Sequence, residues 1–403
     1  MTRFFARDMA QASSLTRAGK LTEATALIQS LLRPKAGTDA PPQEGALVPG
    51  LADKDVIEGT CTPVGDTPSE PAPPKAPKAK ARKTAAKPVP RARRKSLGET
   101  LRSLATAGMP GMGQVAAAPP ELPTGAQFLT LSHAGPQGSR DYRLYVPARK
   151  VKGPMPLIVM LHGCTQSPED FAAGTGMNAL AEETGCLVAW PAQPQGANMQ
   201  KCWNWFRPED QARDSGEPAV IAGIIRDILR DHPADASRVY VAGLSAGGAA
   251  AAIMGAAYPD LIAAAGVHSG LPVGGAQDVM SALSAMRNGA AGKAQTGSVP
   301  VIVFHGLADS TVHPDNGAAV IAQTVQARPG LKQVRNSGTS GRGRSYRHIR
   351  HDDKQGRSIA EHWQIEGAGH AWSGGQPDGS YTDPEGPDAS REMLRFFAQH
   401  RLS

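Results

Sequence analysis

Cysteine is scarce in this sequence, with four in 403 residues: Cys61, Cys164, Cys186 and Cys202. None forms a C-x-x-C pair, so the spacing of a structural zinc site is absent. So small a number does not decide the redox compartment. Aromatic residues are also few, at 5% of the chain. No apolar run approaches the ~18 residues that a membrane-spanning helix needs. The opening residues "MTRFFARDMAQASSLTRAGK" place Arg3, Arg7 and Asp8 where a secretory signal would have a clean apolar core. A cytoplasmic protein is the direct expectation.

Positive charge is abundant but confined. The formal net charge is +7, yet residues 75–95, "KAPKAKARKTAAKPVPRARRK", hold ten Lys or Arg and no acid. The rest of the chain is therefore slightly acidic, and the high pI describes one segment alone. That segment could neutralise phosphates of a polyanion, or coat an anionic granule surface. No aromatic residues are interleaved to stack on bases, so a solvated, extended spacer is the simpler reading.

The texture divides the chain into three regions. Residues 1–33 place Leu21, Ala24, Leu27, Ile28 and Leu31 at spacings near three and four, which predicts a small helical element in need of a partner. Residues 34–124 are dominated by Pro, Ala, Gly, Lys and Arg and cannot bury enough surface to offset their ordering entropy. A disordered linker is expected there, with room for a short helix near Leu97–Leu104.

From residue 125 the pattern becomes globular. "QFLTLSH" and "RDYRLYVPA" alternate like the strands of a hairpin. "PLIVMLHG" (156–163), "CLVAWPA" (186–192), "RVYVAG" (238–243), "VPVIVFHG" (299–306) and "AEHWQIEG" (360–367) read as strands, several of them continuous apolar runs as in a buried parallel sheet. Helices are expected at 171–184, at 219–232 and at 390–400, the last with Ser390 as its N-cap. Alternating strands and helices predict an α/β domain with a mostly parallel sheet covered on both faces.

Functional groups of such a sheet gather in the loops beyond the carboxyl ends of its strands. After "RVYVAG" comes Gly243-Leu244-Ser245-Ala246-Gly247 and an Ala-rich helical stretch. The G-x-S-x-G spacing alone is one that a glycine-rich chain supplies by chance. Its place between a buried strand and a helix makes Ser245 a candidate nucleophile, with the Ala246 N–H as an oxyanion donor. After "VPVIVFHG" comes Asp309, with Asp315 as its rival; Asp309 is closer to the strand end. After "AEHWQIEG" comes His370 between Gly369 and Ala371. The order Ser245, Asp309, His370 is that of α/β-hydrolases. His162 is read as a structural turn residue and His362 as a strand residue. His348 and His351 lie in an Arg-rich stretch and are expected to be solvated. The loop after "PLIVMLHG", beginning Gly163-Cys164, is placed to aim a second backbone N–H at an oxyanion.

"LHGCTQSPEDF", "CWNWF", "GLSAGGAAA", "HGLADSTVHPDN" and "GAGHAWSGG" together resemble the polyhydroxybutyrate depolymerase family of esterases, over roughly residues 125–403. That resemblance implies an α/β-hydrolase fold and a serine esterase needing no metal or organic cofactor. It implies Ser245 as nucleophile, Asp309 as acid, His370 as base and Cys164 as an oxyanion-hole N–H donor. Hydroxyalkanoate polymer or oligomers are the implied substrate, with feruloyl or acetylxylan esters as the alternative within the same class. The secreted members of the family make an extracellular location the alternative to the cytoplasm. Trp203, Trp205 and Trp372 flank the motifs and stand as candidates either for an apolar substrate wall or for core packing. Cys164 and Cys202 lie in motif loops and are expected to pair if the protein meets an oxidising compartment.

Overall fold

A computed structural model describes residues 122–293 and 299–403. The expectations for the 1–33 helical element and for the basic run 75–95 lie outside the described residues, as does the linker up to residue 121.

The chain opens with a hairpin. Strands β1 (Gln127–Gly135) and β2 (Gly138–Val146) pair antiparallel. Next come β3 (Met155–Leu161), helices α1 (Pro168–Thr175) and α2 (Met177–Thr184), and β4 (Leu187–Pro191). They are followed by α3 (Gly216–Asp231), β5 (Ala234–Leu244), α4 (Ala246–Ala257) and β6 (Ala264–His268). Helix α5 (Val279–Asn288), β7 (Val301–Gly306) and α6 (Asp315–Gln326) lead to three further strands, β8 (Lys332–Thr339), β9 (Ser345–Asp352) and β10 (Ser358–Ile365). Short strands β11 (Trp372–Ser373) and β12 (Thr382–Asp383) precede the last helix, α7 (Ala389–Phe397).

Ten strands form one sheet in the order β1-β2-β4-β3-β5-β6-β7-β10-β9-β8. Its centre, from β4 through β10, is parallel throughout. Side chains of β3 alternate between two hydrophobic layers. Leu157, Val159 and Leu161 join Ile221, Ile224, Ile225 and Ile228 of α3 on one face. Ile158 and Met160 join Phe171, Met177, Met393, Phe396 and Phe397 on the other. Both faces are dry, which is why the central strands read as unbroken apolar runs. This is the α/β-hydrolase fold expected from the sequence.

Three local expectations are corrected. The helix expected over 171–184 is two helices, because Gly176 turns left-handed (φ 63°) and ends α1 with its N–H on the Ala172 carbonyl. The last helix is capped by Asp388, whose carboxylate accepts the Arg391 N–H at 2.9 Å. Ser390 lies inside the helix, buried, and donates to the Thr175 carbonyl at 2.7 Å. His348 and His351 belong to β9, and the stretch that carries them is an ordered antiparallel extension of the sheet. His348 stacks on Trp363 with ring centroids 4.0 Å apart and bonds the buried Glu361 at 2.9 Å. His351 is buried as well. These polar strands are covered by their neighbour β10, which supplies Glu361 and Trp363, and composition alone does not show that pairing.

Candidate active site

The strand order reverses between β3 and β5: the chain goes from β3 to β4 on one side, then returns to β5 on the other. Loops diverge at such a point and leave a crevice at the strands' carboxyl ends. Ser245 stands there, between the last residue of β5 and the first of α4. Its backbone is left-handed, with φ 59° and ψ −119°. A non-glycine residue held so costs about 1–3 kcal/mol and persists only where its surroundings enforce it. Here the Ser245 N–H bonds the His268 carbonyl at 2.9 Å, and the Ser245 carbonyl accepts the Ala249 N–H at 3.0 Å. Close approach explains the flanking glycines. A Cβ on Gly247 would strike the Leu161 and His162 carbonyl oxygens, and one on Gly243 would strike the Gly247 carbonyl. Ser245 Oγ has no hydrogen-bond partner among the described residues.

Asp309 and His370 are brought together. His370 Nδ1 lies 2.7 Å from Asp309 Oδ2. The other carboxylate oxygen accepts the backbone N–H groups of Thr311 and Val312, each at 2.9 Å. Burial pushes the Asp309 carboxyl up. The imidazoles of His305 and His370 and the Val312 N–H outweigh that and hold it well below the usual carboxylate range. His305 Nε2 is 3.6 Å from Asp309 Oδ2 but 2.9 Å from the Val312 carbonyl, so its hydrogen bond goes to the carbonyl. The two loops are pinned by Ala308 N–H on the Ala368 carbonyl and Leu307 N–H on the Ile365 carbonyl, both 2.9 Å. Asp315, the rival acid, begins α6, points to solvent and faces His313.

His268 went unnoticed in the sequence, though it joins these parts. Its carbonyl holds the Ser245 N–H, and its ring Nε2 accepts the Ser373 N–H at 2.9 Å. The elbow and the loop after His370 are thus tied to one residue at the end of β6. Accepting at Nε2 fixes the proton on Nδ1, which faces Ser269 Oγ at 3.2 Å. Complete burial drives its pKa well below the usual value, so the ring stays neutral. The signal was present in "AAGVHSG", an apolar run ending in His, but the run was too short to separate from helix.

In the loop after β3, Gly163 N–H bonds Gln166 Oε1 at 2.9 Å and Thr165 N–H bonds the Gln200 carbonyl at 2.6 Å. The Cys164 N–H between them has no acceptor among the described residues. Ala246 opens α4, where the first-turn N–H groups lack intrahelical partners. Both expected oxyanion donors are therefore unengaged. Cys164 is joined to Cys202 by a disulfide.

The family model for esterase PHB depolymerase matches residues 140–328. A poly(3-hydroxyalkanoate) depolymerase C of Paucimonas lemoignei is 34% identical over 232 residues, covering 53% of this chain and 54% of that protein. A feruloyl esterase B of Neurospora crassa is 30% identical over 210 residues, covering 47% of this chain and 70% of that protein. The chain belongs to the PHB depolymerase esterase family. An acetyl xylan esterase from Aspergillus awamori shares the fold, with a TM-score of 0.51 at 21% identity over 68% of this chain and 99% of that one. This chain thus spans about half the length of the depolymerase it matches.

Within this family member, the tryptophans serve the core. Trp203 and Trp372 expose 0% and 1% of their surface, and Trp205 exposes 6%. Trp203 Nε1–H bonds the His162 carbonyl at 3.1 Å, so the ring braces the loop that carries Cys164 from behind. Trp372 stacks on His268 and donates to Ser390 Oγ at 3.0 Å. An apolar substrate wall built from Trp203 and Trp372 is excluded by that burial. His162 is structural as expected, its Nε2 accepting the Gln193 N–H at 3.1 Å.

Glu217, in the first turn of α3, is a buried organiser that sequence reasoning passed over. It accepts Asn204 N–H at 2.8 Å, Asn204 Nδ2–H at 2.8 Å and the Gln193 amide at 2.5 Å. It therefore clamps the segment bearing Cys202 and Trp203. Burial, then the neighbouring Asp210 carboxylate, push its pKa up, against the amide donors and Arg140.

Proposed function

We propose that this protein is a serine hydrolase of carboxylic esters acting through Ser245, His370 and Asp309. The reading rests chiefly on the Asp309–His370 hydrogen bond at 2.7 Å, formed at the same sheet edge as the strained Ser245 elbow. In the first half-reaction Ser245 Oγ attacks the ester carbonyl while His370 Nε2 takes its proton. Asp309 holds Nδ1–H, so Nε2 is the unprotonated nitrogen that faces the reaction, and the carboxylate stabilises the imidazolium that forms. The developing oxyanion is received by the N–H groups of Cys164 and Ala246, a pair in which loss of one donor typically costs about 3 kcal/mol. The protonated His370 then returns its proton to the departing alcohol. In the second half, water activated by His370 releases the acid from the acyl-enzyme.

Short hydroxyalkanoate esters are the proposed substrate class, supported by the depolymerase relative. Carbohydrate-borne acyl groups are the second reading, supported by the feruloyl esterase relative. The test is p-nitrophenyl butyrate hydrolysis by folded wild type and Ser245→Ala, followed by hydroxybutyrate trimer against acetylated xylan. Turnover retained by Ser245→Ala overturns the mechanism. Preference for acetylated xylan overturns the substrate assignment alone.

A further inference from the structure

Tyr381 is the exposed aromatic of the loop that follows His370. It sits between β11 and β12 with a left-handed φ of 53° and 47% of its surface exposed. The backbone around it is locked. Its carbonyl accepts the Trp372 N–H at 2.7 Å, and Ser380 N–H bonds Asp170 Oδ1 at 2.9 Å. Gln166 Nε2 reaches both Asp170 Oδ2 at 2.9 Å and the Ser380 carbonyl at 3.2 Å. The same Gln166 accepts the Gly163 N–H, so this loop and the oxyanion loop are one hydrogen-bonded unit.

The ring, by contrast, packs against no other ring among the described residues. A folding role at this φ would be met with less strain by glycine. The phenol oxygen lies 3.3 Å from Thr165 Oγ1. Thr165 Oγ1 already donates to the Cys164 carbonyl at 2.6 Å, so the tyrosine hydroxyl is the donor of the pair. Thr165 is itself left-handed, with φ 68°. Its N–H is held by Gln200, whose neighbour Met199 is 84% exposed. Two strained residues in contact, next to the Cys164 N–H and flanked by an exposed ring and an exposed thioether, form an exposed apolar feature on the loop after β3.

We propose that Tyr381, with Met199, forms a subsite for the aliphatic chain of the ester beyond its scissile carbonyl. The phenol hydrogen is committed to Thr165, so the ring offers a hydrocarbon face to the ligand. Thr165 fixes that face beside the oxyanion donor. This assignment rests on the esterase reading above and specifies what its site selects.

The experiment compares Tyr381→Ala and Tyr381→Phe with wild type on p-nitrophenyl acetate and p-nitrophenyl octanoate. In parallel, Ser245→Ala protein with and without Tyr381→Ala is titrated calorimetrically with hydroxybutyrate trimer. Tyr381→Ala is expected to raise KM for the octanoate about tenfold, as the loss of a sizeable apolar contact does, with kcat on acetate within about twofold. Tyr381→Phe, which keeps the ring and loses only its tether to Thr165, raises the octanoate KM less than Tyr381→Ala does, and trimer binding weakens about tenfold with Tyr381→Ala. An equal fall of kcat on both esters in both variants makes Tyr381 a prop of the oxyanion loop and overturns the subsite. Unchanged KM and unchanged trimer binding overturn it too. Octanoate affinity unchanged but a feruloyl ester weakened assigns the face to an aromatic acyl group instead. Absent turnover in wild type with trimer binding still lost in Tyr381→Ala sinks the esterase reading and leaves the subsite standing.

Discussion

His370 Nδ1 and Asp309 Oδ2 are 2.7 Å apart, and the second oxygen of the same carboxylate is held by two backbone N–H groups. This bond orients the imidazole and sets its tautomer, while the backbone bonds keep the carboxylate from turning away. Asp309→Asn retains an oxygen for Thr311 and Val312 but must present an amide to His370. The wrong tautomer then faces Ser245. A fall in kcat of up to about 10⁴-fold is expected, with KM nearly unchanged. Steady-state kinetics on p-nitrophenyl butyrate check this, with melting temperature as the folding control. A loss below tenfold would show that Asp309 does not orient the base.

The elbow makes a steric prediction. Gly247→Ala drives a Cβ into the carbonyls of Leu161 and His162, which are backbone atoms and cannot swing aside. A destabilisation of about 1–3 kcal/mol or more is expected. Gly369→Ala, whose Cβ would meet nothing within 4 Å, is the control and leaves the urea midpoint unchanged. Equal midpoints for the two variants contradict the packing described.

The Cys164–Cys202 disulfide joins the loop of the proposed oxyanion donor, Cys164, to the segment clamped by Glu217. Cys202→Ala is expected to lower stability by about 2–4 kcal/mol. It also frees the Cys164 N–H to wander, so kcat should fall about 10- to 100-fold, with a smaller change in KM. Denaturant titration and ester kinetics at 25 °C, on the variant and on wild type treated with reductant, read both effects. Full activity in the reduced protein would refute the positioning role.

Acid sensitivity should begin with histidines rather than carboxylates. Burial pushes His362 down to about 3 and His162 to about 4, against an ordinary 6.5. Burial likewise lowers His400 to about 4. Between about pH 6.5 and 4 the unfolded chain therefore binds protons that the folded protein refuses, and stability falls as pH falls. Glu361 enters later. Burial raises its carboxyl, but His348 and Arg395 win and hold it at about 2. Its contribution is full above the ordinary carboxylate pKa of 4.5 and is lost as pH falls from there through about 2. Urea midpoints measured from pH 8 to pH 3 should decline below 6.5, with a shallower decline in His362→Phe. A flat profile down to pH 5 would remove the histidine explanation.

Much of the site was legible because its parts are local. Ser245, Asp309 and His370 each follow a buried strand, and strand ends can be read from apolar runs bounded by glycine. The choice of Asp309 over Asp315 also followed from distance to the strand end, and the structure pairs Asp309 with His370. The β8–β9 extension escaped notice because Glu361 and Glu366, which pair with His348 and Arg347, come from the neighbouring strand β10 and the turn after it. His268 and Glu217 escaped for a related reason. A buried polar residue looks like any other until its partners are known.

Order along the chain was sufficient for the sheet's parallel core, the elbow and the chain order of the three candidate catalytic residues. Periodicity and turn chemistry act over a few residues and leave their mark in any short window. Burial of individual side chains needed the packed molecule. Trp203 and Trp372 pass from candidate substrate wall to core, and Tyr381 emerges at the surface, because exposure depends on which distant segments cover a residue. Hydrogen bonds between remote loops, such as those of His268, Glu217 and Asp170, form only when those segments meet, and it is those bonds that hold the site in place.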